Sequence, residues 1–103
     1  MLDAIEGIRA AVTGLAFEDY ADNWVVRRAV ERGLEIISEA SRHLPAATKE
    51  AHPDVPWRQV AGIGNVLRHE YQRVEPRLTW NVVGEHLGPL ETAIRAALDD
   101  LPA

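Results

Sequence analysis

Apolar residues recur every three or four positions along most of this chain, which is the spacing that lines one face of an α-helix. The pattern predicts four main helices, over residues 2–15, over residues 24–44, from Trp57 toward Pro76, and from Leu78 to Leu101. The sequence contains neither the period-two alternation of a half-buried strand nor an internal repeat. It therefore predicts an all-α fold, an antiparallel bundle of four to five helices with short connections.

Shorter segments join these helices. The FEDY stretch at residues 17–20 predicts a brief connection, residues 46–51 predict a single helical turn, and HPDVP at residues 52–56 predicts a linker because its prolines cannot donate backbone hydrogen bonds. Gly62 and Gly64 are predicted to lie on one side of the third helix. Glycine disfavours a helix interior, so this pair predicts close packing of another backbone there.

The composition is that of an ordinary soluble globular protein, with 47% hydrophobic and 26% charged residues. We expect one domain over residues 1–103, small enough that a homodimer would stabilise it. The absence of cysteine excludes disulfides and thiolate metal sites and suits a cytoplasmic location. The N-terminus lacks the apolar core of a signal peptide and no stretch reaches membrane-spanning length, so we expect no membrane association.

The charge is unevenly distributed. Eleven basic and sixteen acidic residues give a net charge of −5, which argues against a large nucleic-acid footprint. Between Trp57 and Arg77, however, there are four arginines and two acidic residues, a local balance of 4 − 2 = +2. The basic charge is therefore concentrated around His69.

The stretch GIGNVLRHEYQRV, residues 62–74, carries the candidate chemistry. On a helix, Asn65 lies one turn before His69 and Arg73 one turn after it, so the three share a face if the helix continues that far. An imidazole titrates near neutrality and a guanidinium such as that of Arg68 can hold a phosphate, a combination suited to RNA cleavage. The alternative is that these residues form a solvated polar face.

Other sites are less well supported by the sequence. Of the four histidines, no pair has the i, i+4 spacing of helical metal ligands and no HExxH motif occurs, so neither a metal nor a cofactor is expected. Ser38 and Ser41 lack a nucleophile elbow and are interpreted as ordinary helix residues. The tryptophans occupy apolar-stripe positions and are predicted to pack in the core; they are Trp24, Trp57 and Trp80.

Three segments in this order, LEIISEASRHLP, HPDVPWRQVAGIGNVLRHEYQRV and the LTWNVV to LETAI region, resemble the HepT-like (DUF86) branch of the HEPN superfamily, and His69-Glu70-Tyr71 matches its HExY-type element. The resemblance implies an all-helical dimer and a metal-independent RNase toxin of a type VII-like toxin–antitoxin module, encoded beside a minimal nucleotidyltransferase antitoxin. It assigns catalysis to His69 and makes Asn65 the polar residue that follows the family arginine. Tyr71 would be the tyrosine that the antitoxin modifies with AMP.

One position departs from the family pattern. Four to six residues separate the family arginine from the histidine, and the corresponding positions here are Gly64, Ile63 and Gly62. Arg68 and Arg73 are the candidates to replace it, from the same subunit or from the second subunit of a dimer. The sequence thus predicts an RNase toxin acting on RNA through His69, Asn65 and these arginines; the alternative is a catalytically silent helical module that binds a nucleotidyltransferase or another protein.

Overall fold

The computed structural model describes residues 1–70 and 75–99, with only the backbone at residues 69 and 70. Six helices occur in these ranges: α1 Leu2–Val12, α2 Phe17–Ala21, α3 Trp24–Arg42, α4 Ala46–Ala51, α5 Trp57–Glu70 and α6 Pro76–Asp99. No strand occurs in the part described, and the all-α prediction is confirmed. The four long helices correspond to the four apolar stripes.

Helix α3 is the centre of the packing, with α1 and α5 against it and α6 contacting α1, α2 and α3. The apolar stripes meet in one core, which includes Ile5, Val30, Leu34, Leu67 and Leu90. Helix α3 is capped by Asn23, whose Oδ1 accepts a hydrogen bond from the backbone N–H of Val26 at 3.0 Å. This cap fixes where α3 starts and so where its side chains project.

The segment predicted as a connection at residues 17–20 is instead the start of helix α2. Its Tyr20 is fully buried, with the hydroxyl 2.5 Å from Thr79 Oγ1 and the ring centroid 5.2 Å from that of Trp80. Burial raises the pKa of the Tyr20 phenol, so the hydroxyl is neutral and can donate or accept this hydrogen bond. The five-residue helix thus fastens the start of α6 to the core. It is too short for a periodic apolar stripe, which is why the pattern missed it.

The three tryptophans differ in exposure, contrary to the prediction that all are core residues. Trp57 and Trp80 are partly buried against the core, and the indole N–H of Trp57 donates to the carbonyls of Lys49 and His52 at 3.1 and 3.0 Å. Trp24 is 62% exposed, so the core prediction is wrong for this residue. Among the described helices, none is both long enough and apolar enough to cross a membrane.

Candidate active site

A buried serine of α3 joins this helix to α5 five to eight residues before the histidine. The Ser38 hydroxyl donates to the carbonyl of Ala61 at 2.8 Å and accepts from the backbone N–H of Gly64 at 3.1 Å. Arg42 Nη2 donates to the same Ala61 carbonyl at 2.9 Å. Ser38 was interpreted from sequence as an ordinary helix residue, but it anchors α5 at the position where the candidate motif begins.

The two glycines of α5 have different surroundings. A Cβ at Gly64 would lie 2.7 Å from Ser38 Oγ and 3.2 Å from Ser38 Cβ, whereas a Cβ at Gly62 would meet nothing within 4 Å. The predicted close packing is therefore present at Gly64, where a side chain of α3 rather than its backbone makes the approach. The prediction of close packing is wrong for Gly62. Of the two glycines, only Gly64 must lack a side chain for α3 and α5 to pack as they do.

This difference predicts opposite effects for the same substitution two residues apart. Gly62→Ala is expected to stabilise the fold by about 0.5–1 kcal/mol, because alanine favours a helix interior and has room there. Gly64→Ala is expected to destabilise it by about 1–2 kcal/mol, because the methyl group displaces the Ser38 hydroxyl from its two hydrogen bonds. Urea unfolding of both variants measures the two free energies. Equal stabilisation by both would contradict the role given to Ser38.

Arg68 bends back along α5 toward residues 64 and 65. Its Nη2 donates to Asn65 Oδ1 at 2.5 Å, and its Nη1 lies 3.3 Å from the point where a Cβ on Gly64 would stand. The guanidinium therefore occupies the space beside residue 64. Asn65 and Arg68 are both exposed, so the hydrogen-bonded pair is accessible to a ligand.

A polar groove of about 230 Å³ lies between side chains of α3 and α5 at this point. Among the residues that the structure describes, its lining includes one apolar and five charged side chains: Arg28, Glu31, Arg32, Glu35, Leu67 and Arg68. On α3, Arg28 Nη1 pairs with Glu31 at 2.8 Å and Arg32 Nη1 with Glu35 at 3.3 Å. Sequence reasoning missed the two α3 arginines. Their i, i+4 spacing was visible, but nothing in the sequence places α3 beside the residues around His69.

Burial raises the pKa of the Glu31 carboxyl, an effect that Arg28 and Arg27 oppose and Glu35 reinforces. The described lining of the groove contains three arginines and two glutamates, a charge balance of 3 − 2 = +1. This electrostatic arrangement favours the approach of an anion.

The structure places the predicted site residues only in part. Asn65 and Arg68 are in direct contact, and residue 69 follows them in the last turn of α5. Tyr71 and Arg73 lie outside the described residues. Within residues 1–70 and 75–99, no group of three histidine or acidic side chains is placed to hold a metal ion.

A larger cavity of about 360 Å³ lies between α3, α5 and α6. It is mainly apolar, with Leu34, Ile63 and Leu87 among its lining residues and His86 and Glu85 beside them. In the described part of the chain, it shares no lining residue with the polar groove and contains no arginine. A phosphate is therefore better accommodated in the groove that Arg68 lines.

Fold and site together define a small all-α domain with an arginine-lined groove beside a histidine-bearing helix. The chain belongs to the HepT-like family: the family model described as "Ribonuclease HepT-like" matches residues 1–97. The resemblance inferred from the sequence is confirmed.

Three curated relatives illustrate this membership. The chain is 37% identical to a "Putative RNase" of Caldanaerobacter subterraneus subsp. tengcongensis, covering 95% of this chain and 88% of the relative, and 38% identical to a "Probable ribonuclease HepT" of Thermococcus cleftensis, covering 86% and 81%. It is 30% identical to a "Putative RNase" of Methanocaldococcus jannaschii, covering 91% and 86%. No solved structure matches the chain significantly.

Proposed function

We propose that this chain is a metal-independent endoribonuclease in which His69 transfers the proton and Arg68 stabilises the phosphate. The family description and the names of the relatives support the RNase class. The observation that carries the residue assignment is the Arg68 guanidinium, held by Asn65 beside Gly64 and one residue before His69. It places positive charge near the position where the family pattern has an arginine.

The proposed reaction is attack of a ribose 2′-oxygen on the adjacent phosphorus. The imidazole of His69 takes the 2′-hydroxyl proton as the new oxygen–phosphorus bond forms. The bond to the 5′-oxygen breaks to leave a 2′,3′-cyclic phosphate, the 5′-oxygen takes a proton from water, and the imidazolium returns its proton to solvent. Negative charge grows on the non-bridging phosphate oxygens during this step. A guanidinium held in advance, as Arg68 is by Asn65, stabilises that charge without having to be reordered.

The experiment that tests the proposal is cleavage of a mixed RNA pool by the purified full chain in chelator. We expect cutting by the wild-type chain and none by His69→Ala prepared identically, which controls for contaminating nucleases. A folded wild-type chain that is free of AMP and leaves the RNA intact would contradict the proposal.

The second candidate function is a catalytically silent module that binds a nucleotidyltransferase or another protein. It is favoured by one observation, the absence of arginine at Gly62, Ile63 and Gly64. It predicts no RNA cleavage, and retention of partner binding in His69→Ala. The RNA assay therefore separates the two functions.

The proposed active form is a homodimer. A two-fold axis would build the groove from both chains, so that Arg68 or Arg73 of one subunit could serve His69 of the partner subunit. Analytical ultracentrifugation tests the assembly, and mixing inactive His69→Ala with inactive Arg68→Ala tests shared sites. Recovered activity in the mixture would show that the two residues act across subunits.

A minimal nucleotidyltransferase is the proposed antitoxin of this type VII-like module, acting by attaching AMP to Tyr71. The adduct would add a phosphate and a nucleotide two residues from His69, blocking RNA by bulk and by charge. Co-expression with the neighbouring nucleotidyltransferase is expected to add the mass of AMP to Tyr71 and to abolish cleavage. Tyr20 is a matched internal control, since its complete burial excludes it from modification. Cleavage that persists after full modification of Tyr71, or an adduct found only elsewhere, would refute this switch.

A further inference from the structure

Trp24 is the exposed member of the three tryptophans. It is the first residue of α3 and 62% of its surface is accessible, although the adjoining Asn23 cap holds the start of the helix in place. A large aromatic ring on a fixed helix end loses little conformational freedom when it binds a ligand. The exposed ring is therefore available to stack on a ligand.

Two arginines continue from Trp24 along the same face of α3. Residues 24, 28 and 32 are spaced by four, so their side chains lie one above another over about 12 Å of helix. The Arg28 guanidinium carbon lies 5.5 Å from the centroid of the Trp24 ring. Arg28 and Arg32 line the polar groove together with Arg68. The row thus leads from an exposed aromatic ring to the helix that carries His69.

The chemistry of this row suits a single-stranded nucleic acid. Unpaired bases stack on exposed aromatic rings, and guanidinium groups hold the phosphates that follow. In a duplex the bases are already stacked on one another, so an aromatic ring at a protein surface gains much less. An aromatic ring followed by two guanidinium groups therefore discriminates between the two forms of RNA.

The glutamates of the groove do not prevent this use. Glu31 and Glu35 each contact the Nη1 of one arginine, and a guanidinium has five N–H donors. The Arg28 and Arg32 side chains are also 34% and 71% exposed. The carboxylates hold the guanidinium groups in position and leave donors that a phosphate can use.

We propose that Trp24, Arg28 and Arg32 form a binding track for single-stranded RNA that leads into the groove beside His69. A base stacks on Trp24 and the adjacent phosphates are bound by the two arginines. The inference rests on the proposed ribonuclease function for its substrate. It extends that function by assigning to α3 the selection of unpaired RNA.

The test measures RNA binding separately from cleavage. In the His69→Ala chain, affinity is measured by fluorescence anisotropy for a labelled single-stranded oligoribonucleotide and for its duplex. Trp24→Ala is expected to weaken single-strand binding about tenfold, as loss of one stacked base does, and to change duplex binding little. Trp24→Phe should retain most of the affinity. Val25→Ala is the matched control, since Val25 is adjacent and 69% exposed.

The arginines are tested by the salt dependence of binding. Arg32→Gln is expected to weaken single-strand binding and to reduce the slope of log affinity against log salt by about 0.7, the contribution of one phosphate contact on a single strand. Arg95→Gln on α6, an exposed arginine outside the groove, is the control. An unchanged slope in Arg32→Gln would overturn the assignment of a phosphate to this residue.

Other outcomes separate this proposal from the ribonuclease assignment. Failure of the His69→Ala chain to bind single-stranded RNA, or equal losses for Trp24→Ala and Val25→Ala, would overturn the track. Dissociation of a homodimer by Trp24→Ala without a change in RNA affinity would instead assign this surface to a second copy of the chain. Trp24-dependent binding by a wild-type chain that cuts no RNA would retain the track and refute the ribonuclease.

Discussion

Replacing His69 by alanine is expected to lower the rate of RNA cleavage in chelator by about 10²- to 10⁴-fold, the contribution of a positioned proton-transfer group. The reason is its place on the helix: residue 69 follows Arg68 in the last turn of α5, beside the groove that Arg68 lines. Attack by a neutral 2′-hydroxyl is slow, so removal of the acceptor for its proton should affect the chemical step itself. Single-turnover cleavage of a defined RNA measures that step.

The matched control is His43→Ala. His43 lies at the end of α3, highly exposed and 3.2 Å from Glu39, so its loss should leave cleavage and folding unchanged. In cells, expression of the wild-type chain without the proposed nucleotidyltransferase antitoxin is expected to arrest growth. The His69→Ala substitution is expected to relieve that arrest. Full cleavage by His69→Ala would assign proton transfer to another residue.

Much of the fold could be predicted from the sequence because the apolar stripes are long. Each stripe buries one helix face, so the residues that define it, such as Ile5 and Ile8 on α1 or Leu34 and Ile37 on α3, become the core. Helix α2 could not be predicted in this way, because it is anchored by contacts with α6, among them those of Tyr20 with Thr79 and Trp80. A contact between residues 59 positions apart has no local signature.

The site was predictable along α5 but not across helices. Helical spacing placed Asn65 and His69 one turn apart, whereas the bend of Arg68 back to Asn65 depends on a side-chain torsion that spacing does not determine. The neighbour of Gly64 is Ser38, and this contact exists only because α3 packs against α5. Trp24 occupies an apolar-stripe position and is nevertheless exposed, since at the first residue of α3 the stripe extends past the core.

The second large effect is expected for Arg68→Ala, which should lower the rate of RNA cleavage by about 10²- to 10³-fold, as removal of one preorganised donor to a transition-state oxyanion does. Arg68→Lys should recover only part of this loss, because lysine keeps the charge but lacks the planar fork that engages two phosphate oxygens. The loss should appear in kcat more than in KM, since charge on the phosphate is greatest in the transition state. Rates measured over a range of RNA concentrations separate the two constants.

Arg95→Ala is the matched control for this arginine. It removes an exposed guanidinium of α6 that pairs with Glu91 and Glu6, so cleavage should be unchanged. Asn65→Ala is expected to have a smaller effect than Arg68→Ala, because the guanidinium remains but is no longer held by its 2.5 Å hydrogen bond. Wild-type kcat in Arg68→Ala would show that the phosphate is stabilised from elsewhere.

Moving the arginine to residue 64 distinguishes charge from position. In Gly64→Arg, Arg68→Ala, the new Cβ would lie 2.7 Å from Ser38 Oγ and disturb the anchor between α3 and α5, so cleavage should stay low. Adding Ser38→Gly removes both close contacts and is expected to restore part of the rate, although with a less stable fold. Full activity of the double variant Gly64→Arg, Arg68→Ala would mean that Ser38 can move away from residue 64 without loss of activity. In that case the close approach of Ser38 would not explain why this chain has its guanidinium at residue 68.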